Sequence, residues 1–160
     1  MKVPKIHRKD ETTFIGVSAE LSLENFAIAP LWRSFMQLNA HYQLPDESDF
    51  YAITYYPQGY FNAYNPKIPF TKTVGIAFKN NGNIPAEMVK LVLPATTYAI
   101  IEEINGPLEL PRIIQSFLSD WIPNSSYRLL DQPHIEVIDR SHYLLTNEML
   151  EAYWFPVELK

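Results

Sequence analysis

The chain contains no cysteine, which removes disulfides, thiolate metal sites and thiol redox chemistry from consideration. It has only five glycines in 160 residues, and none of them forms a glycine-rich phosphate loop, a nucleophile elbow or a His-Glu metal motif. No apolar stretch approaches the length of a membrane span, and the N-terminus lacks a signal-peptide core. Basic residues are in the minority: 13 Lys plus Arg against 18 Asp plus Glu leave a net charge of −5. Sequence-independent nucleic-acid binding needs a basic face to displace counterions, so direct contact with nucleic acid is not expected. Taken together, these absences point to a cytoplasmic protein without a cofactor.

Aromatic residues, by contrast, are abundant. Ten Tyr, nine Phe and three Trp make up 14% of the chain. Tyrosine is costly to bury unless its hydroxyl finds a partner, so it favours surfaces that are half apolar and half polar, as in pockets and on strand faces. An apolar fraction of 47% argues against disorder, and 160 residues suit one domain with a sizeable core.

The pattern of apolar residues recurs at an offset of 84. Phe14-Ile15-Gly16-Val17-Ser18 opens a succession of strand, helix and two strands, and Tyr98-Ala99-Ile100-Ile101-Glu102 opens it again. Phe50 then falls against His134, and Val74 near Val157. A period this long is no solenoid; it implies two similar halves, about 12–80 and 88–160, related by a pseudo-two-fold axis. Residues 12–21 alternate as a strand, with Ile15, Val17 and Ala19 on one face and Phe14, Gly16 and Ser18 on the other. Trp32, Phe35 and Leu38 share a helical stripe with Leu31, and Phe117 and Trp121 share another with Leu110 and Ile114. Further strands are expected at 50–56, 71–79, 88–93, 97–104, 134–139 and 153–159, with one helical turn at 146–150. The expected fold class is α+β: two tandem β-α-β-β units, a largely antiparallel sheet and two helices flanking a central cleft. Residues 1–11, polar and basic, read as a flexible tail. The whole chain, 1–160, reads as a single domain.

Several segments together resemble the GyrI-like family, the effector-binding domain of AraC-type and MerR-type transcription regulators. They are Ile84-Pro85-Ala86-Glu87-Met88, Leu93-Pro94-Ala95-Thr96-Thr97-Tyr98-Ala99, the helix ending Asp120-Trp121-Ile122-Pro123-Asn124-Ser125, His134-Ile135-Glu136-Val137, and Trp154-Phe155-Pro156-Val157. Leu31-Trp32 after a Phe-x-Gly strand, and Gly75, extend the resemblance into the first half. It implies two units facing a cleft in which an acidic strand residue meets a cationic, lipophilic ligand. The matching residue is Glu136, although aliphatic Ile135 and Val137 flank it where the family carries aromatics. Family regulators carry a DNA-binding domain ahead of this module. Only about eleven residues precede the first strand here, so the expectation is a stand-alone module that senses a compound for a separate DNA-binding regulator or simply sequesters it.

Alternation alone puts Ile135 and Val137 on the apolar face of their strand and Glu136 on the other, which reads as an exposed acid. The resemblance places the same acid inside the cleft. Trp32, Phe35, Phe117 and Trp121 are candidate walls, and Tyr55 and Tyr98 candidate lining, with core packing as the alternative for each. Tyr60, Phe61 and Tyr64 read as a flap or an edge cover. His134, Glu136, Asp139 and His142 do not share one face, so no metal site is expected. Two other functions stay open: a hydrolase of electrophilic compounds using Glu136 as base, and a gyrase-inhibitor-like interaction module.

Overall fold

A computed structural model describes residues 2–44, 49–79, 82–104, 109–140 and 150–160. Nine strands among them form one antiparallel sheet: β1 (Lys5–Lys9), β2 (Thr12–Leu21), β3 (Phe50–Tyr55), β4 (Phe70–Ala77), β5 (Val89–Leu93), β6 (Thr96–Ile104), β7 (Tyr127–Leu129), β8 (His134–Ile138) and β9 (Leu150–Leu159). Helix α1 (Ile28–Tyr42) joins β2 to β3. A second helical stretch precedes β7: α2 (Leu110–Ser116), a π turn (Phe117–Trp121) and α3 (Ile122–Asn124). Among the described residues no helix is long and apolar enough to cross a membrane.

The strand order is β1-β6-β9-β8-β3-β4-β2-β5, with β7 beside β9. β1 and β2 lie six strands apart in this order, about 29 Å in a flat sheet. Yet only Asp10 and Glu11 connect them, and two linking residues span at most about 11 Å. Pro94 and Ala95 impose the same limit on β5 and β6. The sheet must therefore curl until its ends approach. Gly16 and Gly75 sit opposite each other where β2 meets β4, and a methyl group on Gly75 would lie 1.9 Å from the Ile15 carbonyl oxygen. Only glycine tolerates backbones this close.

Curling gives the sheet two buried faces. Phe14, Ile53, Leu93, Tyr98, Ile135 and Val137 fill the inside. Helix α1 covers the first half of the outside, over Ile15, Val17, Phe50, Ala52 and Val74. The second helical stretch covers the other half, over Ala99, Ile101, Tyr153, Phe155 and Val157. Ile138 touches both outer clusters, so the seam between them runs along β3 and β8.

Two sequence expectations are corrected. Residues 5–9 are not a tail but an edge strand, paired with β6 from Lys5–Ile100 to Lys9–Thr96. Backbone pairing at an edge requires no apolar side chains, so a basic segment can serve. Lys5 also reaches Glu102 at 2.6 Å, and the Lys9 ammonium sits 5.5 Å from the Trp154 ring centroid. Secondly, Val74 corresponds to Tyr153 rather than Val157. Val74 pairs with Val17 and Ala52, Tyr153 with Ile101 and Glu136, and both of those partners are displaced by 84. The connections before β4 and β9 differ in length, which a fixed offset cannot register. The helical turn expected at 146–150 lies outside the described residues except for Leu150, which opens β9.

Candidate functional site

The centre of the outer face is the β3–β8 pair. Thr54 stands opposite His134, and Ala52 opposite Glu136. On the flanks, Lys72 of β4 lies beside Thr54 and Tyr153 of β9 beside Glu136. Strand alternation turns all six toward the helices. Between two hydrophobic clusters the sheet thus carries a patch of buried polar groups: Thr54, Lys72, His134 and Glu136 are all at most 9% exposed.

Glu136 is buried, contrary to the simplest reading of alternation, because both faces of β8 are covered. Burying a carboxylate unpaired is expensive. Its partner is Lys72, whose Nζ lies 2.9 Å from Glu136 Oε2. The two residues are two strands apart, so the lysine stem has to cross β3 where the small Ala52 and Thr54 leave room. The Phe26 ring, about half exposed, stands 5.4 Å from the same ammonium.

His134 Nδ1 and the Tyr153 hydroxyl are 2.8 Å apart. Burial, and secondarily the Lys72 ammonium, lowers the His134 pKa to about 3, so the imidazole is neutral at ordinary pH. The Tyr153 and Thr54 side chains lie close enough to the Tyr56 phenol to act on it. Burial first, and nearby acidic groups including Glu136, raises the pKa of both phenols, so both stay protonated. The imidazole and the two phenols are therefore held neutral.

Rings roof the polar patch. Tyr56 packs 5.0 Å from His134, 4.7 Å from Tyr60 and 4.8 Å from Phe61. Gly59, at φ 80°, makes the turn that presents Tyr60 and Phe61, and Tyr64 points away, 84% exposed. A cavity of about 260 Å³ opens beside this roof, lined by Tyr56, Tyr60, Phe61, Leu130, Asp131 and His134 among others.

The structure does not gather all the sequence-predicted residues. Trp32 and Phe35 form an aromatic group with Phe50 under α1. Phe117 stacks on Phe155 at 3.7 Å and on Trp121 at 5.0 Å. Phe35 and Phe117 are fully buried in the two outer clusters, with Trp32 and Trp121 partly buried against them. All four pack in the outer clusters, and Trp121 also stacks on Tyr127 of β7, away from β3 and β8. Tyr55 and Tyr98 do not line the seam. Tyr98 is inside the curl, 5.4 Å from Trp154. Tyr55 is half exposed beside a second depression with Glu20 and Phe70. Alternation correctly groups residues by face; it does not reveal which face takes the helices. Lys72, Tyr56 and Tyr153 were missed. The one available signal is a lysine as the sole charge in its strand, Phe70–Ala77. Among the described residues no three metal-ligating side chains converge; His142 lies outside them.

A curled antiparallel sheet with helical layers on either side of a buried charged seam is the architecture of this chain, and comparison with known proteins assigns its family. The model for the GyrI-like small molecule binding domain matches residues 2–158; the chain belongs to that family. Comparison with curated protein sequences returns no match. Solved structures share the fold. SAV2435 bound to tetraphenylphosphonium superposes with a TM-score of 0.69 at 12% identity, covering 99% of this chain and 94% of that one. The C-terminal domain of EcmrR gives 0.64 at 16% identity, covering 98% and 97%. A hydrolase encoded by lin2189 from Listeria innocua gives 0.59 at 7% identity, covering 98% and 92%.

Proposed function

We propose that this protein binds lipophilic, cationic small molecules at the seam between its two helical layers, with Glu136 as the counter-charge. The observation that carries this reading is a buried carboxylate that already holds a cation, Lys72, at 2.9 Å, on the strand whose His134 packs against the Tyr56 and Phe61 rings. The cationic compound named for SAV2435 supports the same ligand class.

The energetics suit such a guest. Burial of on the order of 300 Å² of apolar surface contributes about 7 kcal/mol. Association and ordering offset much of it, and each ring face adds about 0.5–2 kcal/mol for a cation. Micromolar affinity, about −8 kcal/mol, is the expected outcome. Tyr56, Tyr60 and Phe61 must shift to admit the guest, and the cavity beside them is the entry. The bound state serves sensing or sequestration.

Hydrolysis with Glu136 as base has less support. A general base must offer its lone pair to a substrate or a water, and here the Lys72 ammonium engages that carboxylate. A thermal-shift panel of lipophilic cations, neutral analogues and anions tests the reading. The expected result is stabilisation by cations that weakens in Glu136→Gln; equal shifts for neutral and cationic compounds would contradict it.

A further inference from the structure

We propose that Lys72 is the site's resident guest: it occupies the position of the ligand's positive charge against Glu136, and a cation binds by displacing it. This inference rests on the proposed ligand class and deepens it by naming what the guest's charge must displace.

Three observations converge on Lys72. Its ammonium is at contact distance from Glu136. Its side chain is almost entirely removed from water, at 7% exposure. Beside it stands Phe26, 47% exposed, with its ring 5.4 Å from Nζ. A lysine that left Glu136 would therefore pass a ring that attracts cations and emerge at the surface.

Displacement is an exchange of one cation for another, and hydration decides its direction. The released ammonium is a compact, strongly hydrated charge. An incoming primary ammonium gives up as much hydration as Lys72 regains, so the exchange is neutral and the guest gains little. A cation whose charge is spread beneath apolar groups loses little hydration on entry, and Lys72 still regains its own. The seam thus favours diffuse cations over primary amines through what each guest gives up on entry, while the release of Lys72 sets a threshold common to all of them.

The most direct test uses the wild-type protein. Acetylation of Lys72 by an amine-reactive ester, followed by mass spectrometry, should be slow in the free protein and accelerate at least tenfold with saturating tetraphenylphosphonium. Calorimetry with tetraphenylphosphonium and 2-phenylethylammonium gives the second readout. Wild type should favour the phosphonium by at least thirtyfold. Lys72→Met removes the competitor for both guests, so it should tighten both at least fivefold and leave their ratio nearly unchanged. Lys72→Arg keeps the charge and holds a carboxylate with two parallel hydrogen bonds; it should weaken the phosphonium at least fivefold. If tetraphenylphosphonium binds while Lys72 stays protected and both variants bind it within twofold of wild type, Lys72 is not displaced, and the proposed ligand class survives alone. If neither cation binds wild type or either variant, both proposals fall together.

Discussion

Ala52 and Glu136 face each other across β3 and β8, and they are the same position of the internal repeat, 84 residues apart. The pseudo-two-fold axis passes between them. One half places a methyl group on the axis and the other a carboxylate. This asymmetry makes room for a third residue: Lys72 reaches Glu136 over the space that a larger side chain at 52 would occupy. A symmetric scaffold thereby carries a single charged centre where its halves meet.

Filling that space should separate the ion pair. Ala52→Leu adds three carbons at a position 1% exposed. Overpacking of this kind costs about 1–3 kcal/mol. Urea unfolding should show a loss in that range, together with faster chemical labelling of Lys72.

The pair should behave as a coupled unit in a double-mutant cycle. Lys72→Met leaves a carboxylate buried without its cation, and Glu136→Gln leaves a buried ammonium. Each single change is expected to cost about 3–5 kcal/mol. The double variant should lose clearly less than the two together, because no uncompensated charge remains. Additive losses in denaturant unfolding would mean that the charges do not depend on each other.

Stability should depend on pH through His134. Its folded-state pKa of about 3 lies below the ordinary value of 6.5, so the unfolded chain binds the proton first. The contribution is fully present above about pH 6.5 and is lost as the pH falls toward 3. The slope is about 1.4 kcal/mol per pH unit. Comparison with His134→Gln between pH 6.5 and 5, above the range in which ordinary carboxylates titrate, should reveal it: wild type loses stability with acid and the variant changes little.

Gly75→Ala tests the curl of the sheet. The added methyl would meet the Ile15 carbonyl oxygen at 1.9 Å, and backbone rather than a flexible side chain would have to move. A loss on the order of 3 kcal/mol is expected, measured by thermal unfolding. The same substitution at Gly82, where a methyl group meets nothing within 4 Å, should be close to neutral.

Much of the architecture is written in local patterns. Alternation separates Ile15 and Val17 from Phe14 and Gly16, and the structure buries the first pair under α1 and the second group's Phe14 inside the curl. The stripes containing Phe35 and Phe117 become the buried sides of the two helical stretches. Local pattern fails where the decisive partner is distant. β1 forms because a polar segment meets the edge of β6, some 90 residues further on. Lys72 resembles a solvent-facing strand lysine until β3 and β8 bring Glu136 beside it. Tyr55 and Tyr98 have the right chemistry for a pocket but fall on faces that the helices do not cover. Glu136 itself stood out through resemblance rather than physics, since Ile135 and Val137 predict an exposed acid when only one face is assumed to be buried.

The central claim is that the seam recognises positive charge on a lipophilic body. Tetraphenylphosphonium and tetraphenylborate have nearly the same shape and opposite charge, so calorimetric titration of both into wild type and Glu136→Gln tests it most directly. The account predicts micromolar binding of the phosphonium, at least tenfold weaker binding of the borate, and a loss of that preference in Glu136→Gln. Equal affinity for the two ions, or a preference for the borate that disappears in Lys72→Met, would contradict it.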